Sequence, residues 1–331
     1  MTNKKNYKVF VTGSSGFIGN AIVKKLTKNP NVNFVYGIDS KKSNFKNKKF
    51  KENIIDICSK EQINKFFESN SISHVIHLAA RTDLQGMRLS DYKENYIGVS
   101  NICDAINKFE IKNSIFASTQ LVNSIGDKPK FEFDHFPDTA YGYSKSIGEF
   151  IVANKLVNRK WTIFRPTTIW GPGMSNHYKN FLSLLDRGRY FNIGQKKCFK
   201  SFGYISNVVE QLEFLIFENN STFDKEILYL CDENPIEIKK WANDLSEALG
   251  RKKPISVNYK FAKLIATINE LVSRIFLKKE DFFIPLTKRR LKNITTEYLF
   301  QSNKLWDLCQ TNYSYDDAIK ETIKWYREEN H

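Results

Sequence analysis

Apolar and polar residues alternate along the first half of the chain in a way that predicts strands separated by helices. The predicted strands cover Tyr7–Thr12, Asn33–Ile38, Asn53–Ile57, Ser73–Leu78, Asn113–Ser118 and Lys160–Arg165. The predicted helices cover Phe17–Lys28 and, approximately, residues 60–69, 91–109 and 139–158. Helical crossovers of this length make successive strands parallel, so the pattern predicts an α/β fold with a doubly wound parallel sheet.

The alternation stops after Pro166, where glycine and proline at 171–173 predict a loop. Helices and short strands follow without regular order. We therefore expect a Rossmann domain and a smaller, interleaved α/β substrate lobe, with a ligand beyond the carboxyl ends of the strands, in a cleft between the lobes. The Rossmann domain is predicted to comprise residues 1–170 with about 201–231, and the lobe about 171–200 and 232–331.

Composition excludes several other classes of protein. The chain has 331 residues and contains no run of about 18 uninterrupted apolar residues, so a membrane-spanning helix is not expected. The start of the sequence is too polar for a secretory signal. Five scattered cysteines without a C-x-x-C motif predict reduced thiols in the cytoplasm, and no metal site. His74 and His77 fall in a predicted strand and are expected in the core.

Charge points to an anionic partner. The net charge is +15, and the stretch from Arg251 to Asn293 holds twelve Lys or Arg against three acids. Such a field favours nucleotide phosphates, nucleic acid or an anionic membrane surface without choosing among them. No zinc-finger spacing or RNA-recognition signature accompanies the charge, so nucleic acid is not an expected partner.

The first candidate site is a glycine turn, the run Thr12-Gly13-Ser14-Ser15-Gly16-Phe17-Ile18-Gly19, which follows a predicted strand and opens a helix. Gly13 permits the tight turn, Gly16 lets the backbone approach a pyrophosphate, and Gly19 allows close packing of helix on strand. The free amides at the helix start then face the phosphates. An ordinary strand-to-helix turn is the alternative explanation.

Carboxylates after the next two strands extend this prediction. Asp39 ends the second strand, where a carboxylate binds the hydroxyls of the adenosine ribose and repels a 2′-phosphate, which favours NAD over NADP. Lys41 and Lys42 weaken that preference, because a cation there can hold the phosphate. Asp56 and Ile57 follow the third strand, where the adenine lies; the alternative is a turn aspartate beside a core isoleucine.

The second candidate site contains Tyr141 and Lys145, which share one face of a predicted helix. An ammonium near a phenol favours phenolate, so we expect Lys145 to lower the tyrosine pKa and let Tyr141 act as acid or base. Ser118 and Thr119 end the fifth strand, where a hydroxyl can orient the same substrate oxygen. Alternatively, these residues form a solvated helix face and a strand-end cap.

Together these motifs resemble the extended short-chain dehydrogenases/reductases, specifically the NAD-dependent nucleotide-sugar epimerase/dehydratase family. The matching pieces occur in the family's order over nearly the whole chain. They are Gly13/Gly16/Gly19, Asp39, Asp56-Ile57, His77-Leu78-Ala79-Ala80, Asn95 with Gly98 and Asn101, Ser118-Thr119, Tyr141/Lys145, Arg165-Pro166, Gly171-Pro172-Gly173 and Trp325-Tyr326.

The resemblance implies roles for individual residues. Thr119, Tyr141 and Lys145 are the implied catalytic residues. The implied NAD-binding residues are Gly13, Ser15, Gly16, Phe17, Ile18, Gly19, Asp39, Asp56, Ile57, Leu78, Ala79, Ala80, Asn95, Ser118, Tyr141 and Lys145. Lys200 occupies the place of a family arginine near the nucleotide part of the substrate, where it is a point charge without the arginine's bidentate fork.

Two departures from the family pattern bear on the reaction. Sugar 4,6-dehydratases usually follow the catalytic threonine with an acidic pair, whereas Thr119 is followed by Gln120 and Leu121, which argues against dehydration. Epimerases often carry Val-Tyr-Gly where this chain has residues 122–124, Val-Asn-Ser. The resemblance thus implies NAD-dependent hydride transfer at C4 of a nucleotide-activated sugar, as in polysaccharide biosynthesis, by a homodimer. Open alternatives are a 4-ketosugar reductase and a non-catalytic NAD sensor.

The basic stretch has two interpretations. Residues 261–277 carry apolar side chains at helical spacing, followed by Lys278-Lys279, Phe282-Phe283-Ile284 and Lys288-Arg289-Arg290. One interpretation is an amphipathic helix packed on the second lobe, with Arg289 and Arg290 facing the substrate diphosphate. The other is an interfacial helix that contacts an anionic membrane.

Overall fold

The computed structural model describes residues 6–127, 129–217, 221–276 and 286–330. In chain order, its elements are β1 (Tyr7–Thr12), α1 (Phe17–Lys28), β2 (Val32–Asp39), β3 (Phe50–Ile54), α2 (Lys60–Ser69), β4 (His74–His77), α3 (Ile97–Lys108), β5 (Asn113–Ala117), α4 (Ala140–Lys155), β6 (Trp161–Pro166), β7 (Thr168–Trp170), α5 (Asn176–Asp186), β8 (Asn192–Ile193), β9 (Phe199–Lys200), β10 (Phe202–Tyr204), α6 (Ile205–Phe217), β11 (Glu226–Leu230), β12 (Ile236–Glu237), α7 (Ile238–Ala248), β13 (Ser256–Val257), α8 (Tyr259–Phe276), α9 (Lys288–Thr295), α10 (Asn303–Leu308) and α11 (Tyr315–Asn330). Two 3₁₀ helices cover Leu89–Asn95 and Gln120–Val122.

Seven of these strands form one parallel sheet in the order β3-β2-β1-β4-β5-β6-β11. The chain runs outward from β1 in one direction to β3, and then returns to β4 on the other side of β1. This reversal creates a switch point between β1 and β4, where ligands of doubly wound folds bind beyond the carboxyl ends of the strands. The predicted α/β fold class is confirmed.

The sheet is buried on both faces at its centre. Val9, Phe10 and Val11 of β1 are inaccessible to solvent, as are Val75 and Ile76 of β4. A strand covered on both faces needs apolar residues at consecutive positions, which explains why these strands read as continuous apolar runs. The core thereby fixes where each strand ends, and with it the positions of the side chains that follow.

The chain divides into two compact units. Unit 1 consists of Met1–Ile169, Gly203–Cys231 and Gln301–Asn312, and unit 2 of Trp170–Phe202, Asp232–Phe300 and Tyr313–His331. The sequence pattern placed residues 301–312 in the second lobe, whereas here they group with unit 1. The reason is that Ser302 donates a hydrogen bond to the carbonyl of Tyr229 in β11, and the Trp306 indole donates to that of Cys231.

Unit 2 contains short two-stranded sheets and several helices. Strand β9 pairs with β12 and β8 pairs with β13. A small core joins Ile193 to Ala262 and Ala266 of α8 and to Leu291 of α9. Among the described residues, no helix is both long and apolar enough to cross a membrane.

Two predicted elements differ from those observed. The third strand runs over Phe50–Ile54 and not Asn53–Ile57, because this edge strand pairs only with β2 and requires few buried apolar side chains. The helix predicted near 91–109 is interrupted at Tyr96, whose φ of −132° is not helical, so a 3₁₀ helix precedes α3.

Candidate functional site

The glycine turn lies at the switch point, between β1 and α1. Gly13 has a φ of +70°, and a Cβ atom on it would lie 2.7 Å from the Ala79 nitrogen. A Cβ on Gly19 would lie 1.9 Å from the Gly13 carbonyl oxygen. Glycine is therefore required at both positions, for the left-handed turn and for the close approach of helix to strand. This cradle has the shape that a pyrophosphate needs.

The start of α1 presents backbone amides that no side chain caps. Gly16 is the N-cap residue and is exposed, while Phe17 and Ile18 form the half-buried first turn. Uncapped amides and the positive end of the helix dipole together favour an anion. These residues fit the phosphates of a dinucleotide.

Asp39 faces the same turn from the end of β2. Its carboxylate accepts a hydrogen bond from the Ser15 amide at 3.0 Å. The sequence analysis did not identify Glu52 of β3, whose carboxylate accepts from the hydroxyls of Ser14 and Ser15 at 2.9 and 2.7 Å. Burial raises the pKa of Glu52, but the hydrogen bonds from Ser15, Ser43 and Ser14 outweigh it and hold that pKa below its usual value. Two carboxylates thus border the predicted ribose position.

The other predicted cofactor residues follow β4 and β3, and they differ in their burial and in their hydrogen bonds. The amides of Leu78 and Ala79 donate to the Thr12 hydroxyl, and Ala80 follows them half-buried at the end of β4. Ile57 is a core residue, whereas Asp56 is exposed and caps its own turn by accepting from the Cys58 amide. The contacts of these two residues match the alternative to an adenine site, which is a turn aspartate beside a core isoleucine.

Asn95 is fully buried and lies beside α4, as the family resemblance implies. Its amide nitrogen donates to the Ser144 hydroxyl at 2.9 Å and to the Arg81 carbonyl at 3.0 Å, and its oxygen accepts from the Arg81 amide. These protein contacts use its donors, so Asn95 fixes the loop after β4 against the helix.

The predicted catalytic hydroxyls meet where β5 ends and α4 begins. Thr119 caps a 3₁₀ turn by accepting from the Leu121 amide at 3.2 Å, and its side chain lies beside the Tyr141 phenol, whose pKa it lowers against the larger effect of burial. Gly142 makes this approach possible, because a Cβ on it would lie 2.1 Å from the Leu121 carbonyl oxygen. Ser118 is buried and lines a small cavity with Lys145.

Lys145 is buried on α4, one helical turn from Tyr141. Its ammonium donates to the Ala117 carbonyl of β5 at 2.5 Å. Burial lowers the pKa of Lys145 to about 8, although the charge of Glu149 acts to raise it. Burial raises the pKa of Tyr141 to about 12, although Thr119 acts to lower it. Desolvation is therefore the largest influence on both pKa values, and the lowering of the tyrosine pKa by Lys145 stays a prediction.

A buried ion-pair network lies one turn further along α4, and sequence reasoning missed it. Arg165 donates to both carboxylate oxygens of Glu149, at 2.9 and 2.7 Å, and His135 contacts the same carboxylate at 2.7 Å. Burial alone would raise the pKa of Glu149. The hydrogen bonds and the charge of Arg165 outweigh burial and lower that pKa. The position of Glu149 could have been predicted from the sequence, because it follows Lys145 by four residues and so lies on the same helix face.

Thr119 belongs to unit 1, whereas the predicted substrate-binding cations Lys200, Arg289 and Arg290 lie in unit 2. The buried ammonium of Lys200 donates to Asn293 on α9 at 2.5 Å, and burial lowers its pKa to about 8. The same helix carries Arg289 and Arg290, so α9 joins all three predicted cations in one region. A cavity of about 470 Å³ in this unit is lined by Lys196, Lys197, Lys239, Tyr190 and Tyr259, among others. Lys278, Lys279 and Phe282-Phe283-Ile284 lie outside the described residues.

The cysteines and histidines show no arrangement for chemistry of their own. The five cysteines are free thiols, four of them buried. His74 and His77 are buried in β4, where they contact the hydroxyls of Ser73 and Thr12. Within the described part of the chain, no three His, Cys, Asp or Glu side chains are grouped as metal ligands.

The order of the sheet, the glycine turn at its switch point and the Thr-Tyr-Lys arrangement define a Rossmann enzyme of the extended short-chain dehydrogenase/reductase class. The chain belongs to the NAD dependent epimerase/dehydratase family, whose model matches residues 9–229. The predicted family, the NAD cofactor and the enzymatic character of the protein are confirmed.

Three similar proteins illustrate the family's range. An N-acetyl-alpha-D-glucosaminyl-diphospho-ditrans,octacis-undecaprenol 4-epimerase of Escherichia coli O157:H7 is 26% identical over 83% of this chain and 82% of its own length. A dTDP-D-glucose 4,6-dehydratase of Homo sapiens is 26% identical over 98% of this chain and 91% of its own. The crystal structure of Thermotoga maritima UDP-glucose 4-epimerase with UDP-glucose superposes with a TM-score of 0.74 at 18% identity, covering 98% of this chain and 100% of that one.

Proposed function

We propose that the protein is an NAD-dependent 4-epimerase of a sugar carried on a diphosphate, with a nucleotide-activated sugar as the principal substrate class. The observation that carries this proposal is the meeting of Thr119 and Tyr141 beside Lys145 at the carboxyl edge of the sheet. Relatives that are named 4-epimerases of diphosphate-linked sugars support the reaction type.

Each of the three residues has a task in this proposal. NAD supplies, when bound, a hydride acceptor and donor for C4 and a positive charge beside the phenol. The Thr119 hydroxyl, which accepts from the Leu121 amide and lies beside the Tyr141 phenol, hydrogen-bonds and orients the sugar oxygen. Tyr141 takes the proton of that oxygen and later returns it, and Lys145 holds the cofactor's ribose. Because burial raises the pKa of Tyr141, the phenolate needs a cation nearby.

The two units divide the binding tasks. We propose that unit 1 holds NAD through the glycine turn, with Asp39 on the adenosine ribose, and that unit 2 holds the substrate's phosphates. The lysine-lined cavity and the cations of Lys200, Arg289 and Arg290 support the second assignment. A diphosphate is favoured wherever several cations converge in a partly desolvated site.

We further propose that the protein does not act as a 4,6-dehydratase. Elimination of water needs an acid and a base beside the sugar, and the two residues after Thr119 are Gln120 and Leu121, which form a 3₁₀ turn. Neither side chain titrates, so the elimination step lacks its catalyst. A human relative named as a dTDP-D-glucose 4,6-dehydratase is similar over 98% of this chain, so overall similarity does not separate the two reactions and the proposal depends on the chemistry of this turn.

Assembly and location are proposed on separate grounds. On α4 and just beyond it, Tyr143, Phe150 and Val157 are exposed at seven-residue spacing, with Ile97 of the neighbouring helix α3 exposed as well. A row of exposed apolar side chains along α4, with one more on the helix packed against it, suits a two-fold pairing of copies, so we propose a homodimer. Five free thiols support a reducing compartment, the cytoplasm.

The Tyr141→Phe variant tests the proposal. It keeps the ring that packs at the site and removes the proton-transferring hydroxyl, so we expect kcat to fall about 10²- to 10⁴-fold while NAD binding persists. Tyr143→Phe, an exposed tyrosine on the same helix, is the matched control and should retain wild-type turnover. Equal turnover of the Tyr141→Phe variant and wild type would remove Tyr141 from the reaction.

A further inference from the structure

Helix α8 carries an exposed apolar stripe on the side away from its packed face. Phe261, Leu264 and Ile268 are 56%, 56% and 49% exposed, and their spacing of three and four residues places them on one face. The helix packs through a different face, where Ala262 and Ala266 are buried against Leu291 of α9. Large apolar side chains in a contiguous exposed row mark an interaction surface.

Positive charge borders this stripe. Lys260 and Lys263 are exposed on α8, and their side chains form no ion pair with any described residue. The helix's described acid, Glu270, is already paired with Lys288 at 3.3 Å. The exposed side of the described helix therefore presents apolar side chains and unneutralised cations together, which is the composition of a helix that lies in a lipid interface.

We propose that this surface, formed by Lys260, Phe261, Lys263, Leu264 and Ile268, docks the protein on an anionic lipid bilayer. Charge decides between this occupant and a second copy of the chain. In a symmetric dimer the same patch meets itself, which would bring the lysines of two chains with a net charge of +15 each toward one another. A bilayer with acidic headgroups instead neutralises the lysines and buries the apolar row.

The position of the surface links docking to the proposed substrate site. Tyr259, the first residue of α8, lines the same cavity as Lys196, Lys197 and Lys239. Docking through α8 therefore brings a cationic cavity next to the headgroup layer, where a diphosphate carried on a lipid would be presented. This consequence rests on the proposed function, whereas the docking itself does not.

Vesicle co-sedimentation without NAD or sugar tests the docking alone. We expect wild type to bind vesicles of phosphatidylcholine with phosphatidylserine, and to bind less as salt is raised. The triple variant Phe261→Ser, Leu264→Ser, Ile268→Ser should lose at least tenfold in affinity, and Lys260→Glu with Lys263→Glu about thirtyfold. All five positions are exposed, so the variants should unfold at the wild-type temperature.

Two controls separate this proposal from its alternatives. Phe131→Ser, which alters a phenylalanine of unit 1 that is 74% exposed, should bind vesicles like wild type. Tyr141→Phe should also bind like wild type, so a failure of the proposed reaction leaves the docking result intact. The proposal is overturned if wild type does not bind at low salt, if both α8 variants bind unchanged, or if the triple variant changes the oligomeric state while vesicle binding persists.

Discussion

At the scale of single residues, the candidate catalytic site contains two buried ionisable groups, and burial shifts the pKa of each in the direction that favours its neutral form. Burial raises the pKa of Tyr141 to about 12 and lowers the pKa of Lys145 to about 8. Near neutral pH the phenol is protonated, and the ammonium is charged at a cost in stability. A cofactor that brings positive charge to this site changes the balance toward phenolate, so cofactor binding and proton transfer are coupled there.

The pKa of Lys145 gives a pH-dependent prediction. Between about 8 and its ordinary value of about 10.4, the folded protein binds fewer protons at this site than the unfolded chain, so the free energy of unfolding rises with pH over that window. Lys145→Met removes this rise and should be about 2 kcal/mol more stable than wild type at pH 7, after allowing for the lost bond to Ala117.

Urea unfolding without cofactor at pH 7 and pH 9.5 measures this effect. The advantage of Lys145→Met should shrink at the higher pH. Lys112→Met, at an exposed position, serves as the control and should follow wild type at both values. Parallel pH profiles for wild type and Lys145→Met would show that Lys145 does not titrate in this window.

Asp39 predicts cofactor selectivity. Because its carboxylate borders the ribose position and repels a 2′-phosphate, wild type should bind NAD at least tenfold more tightly than NADP, a difference of about 1.4 kcal/mol. Asp39→Ala should narrow this ratio, and Asp56→Ala, an exposed turn aspartate, should leave it unchanged. Titration calorimetry with both cofactors is the measurement, and a wild-type preference for NADP contradicts the assignment.

At the scale of elements, the position of α4 depends on small residues and on one ion pair. Gly142 allows the turn after Thr119 to approach, and Gly148 allows the Asn95 backbone to approach, since a Cβ there would lie 2.8 Å from the Asn95 carbonyl oxygen. The pair between Glu149 and Arg165 then ties the helix to β6. The proposed catalytic residues Tyr141 and Lys145 lie on the same helix, within one turn of these contacts.

Glu149→Ala should destabilise the protein by about 3–5 kcal/mol. The variant leaves the guanidinium of Arg165 buried without its carboxylate, and both side chains are at most 2% exposed. Glu68→Ala breaks a solvent-exposed pair with Lys108 and should cost less than about 1 kcal/mol. Equal losses in thermal unfolding of the two variants would show that the buried pair does not hold α4 in place.

The elements of unit 1 could largely be predicted from the sequence. Strand β1 and helices α1 and α2 have their predicted bounds, because an apolar run buried on both faces and a 3.6-residue period are unambiguous local signals. The edge strand β3 lies earlier than predicted, since its stability comes from backbone pairing with β2 and leaves little trace in the pattern. The break at Tyr96 is likewise set by tertiary packing.

The candidate site shows a similar division. Gly13, Gly19, Thr119 and Tyr141 could be identified from spacing, because turn geometry and helix periodicity are local. Glu52 could not, because its contacts with the serines of the glycine turn come from a strand nearly forty residues away. The role of Lys145 was inferred from helix spacing and from the family resemblance. Burial, which a sequence does not display, adds an opposing contribution that raises the pKa of Tyr141.

At the scale of the whole molecule, charge and chemistry lie in different parts of the chain. Unit 1 contains the glycine turn and the Thr-Tyr-Lys arrangement, and the basic stretch between Arg251 and Asn293 falls in unit 2. A cationic second unit suits a substrate whose diphosphate supplies much of the binding energy. In the proposed function the sugar is selected near Thr119 and Tyr141, and a family can differ in substrate in this way while its members share a fold.

The most direct test of the central claim is to follow C4 of the sugar by nuclear magnetic resonance. The protein is incubated in deuterated water with NAD and UDP-glucose, UDP-glucuronate or lipid-diphosphate-linked N-acetylglucosamine, the classes named for its relatives. The account predicts inversion at C4 of at least one substrate, without change of mass and without deuterium at C4, and loss of this conversion in Tyr141→Phe. A product lighter by one water, or no inversion of any of these sugars by the folded, NAD-bound protein, would contradict it.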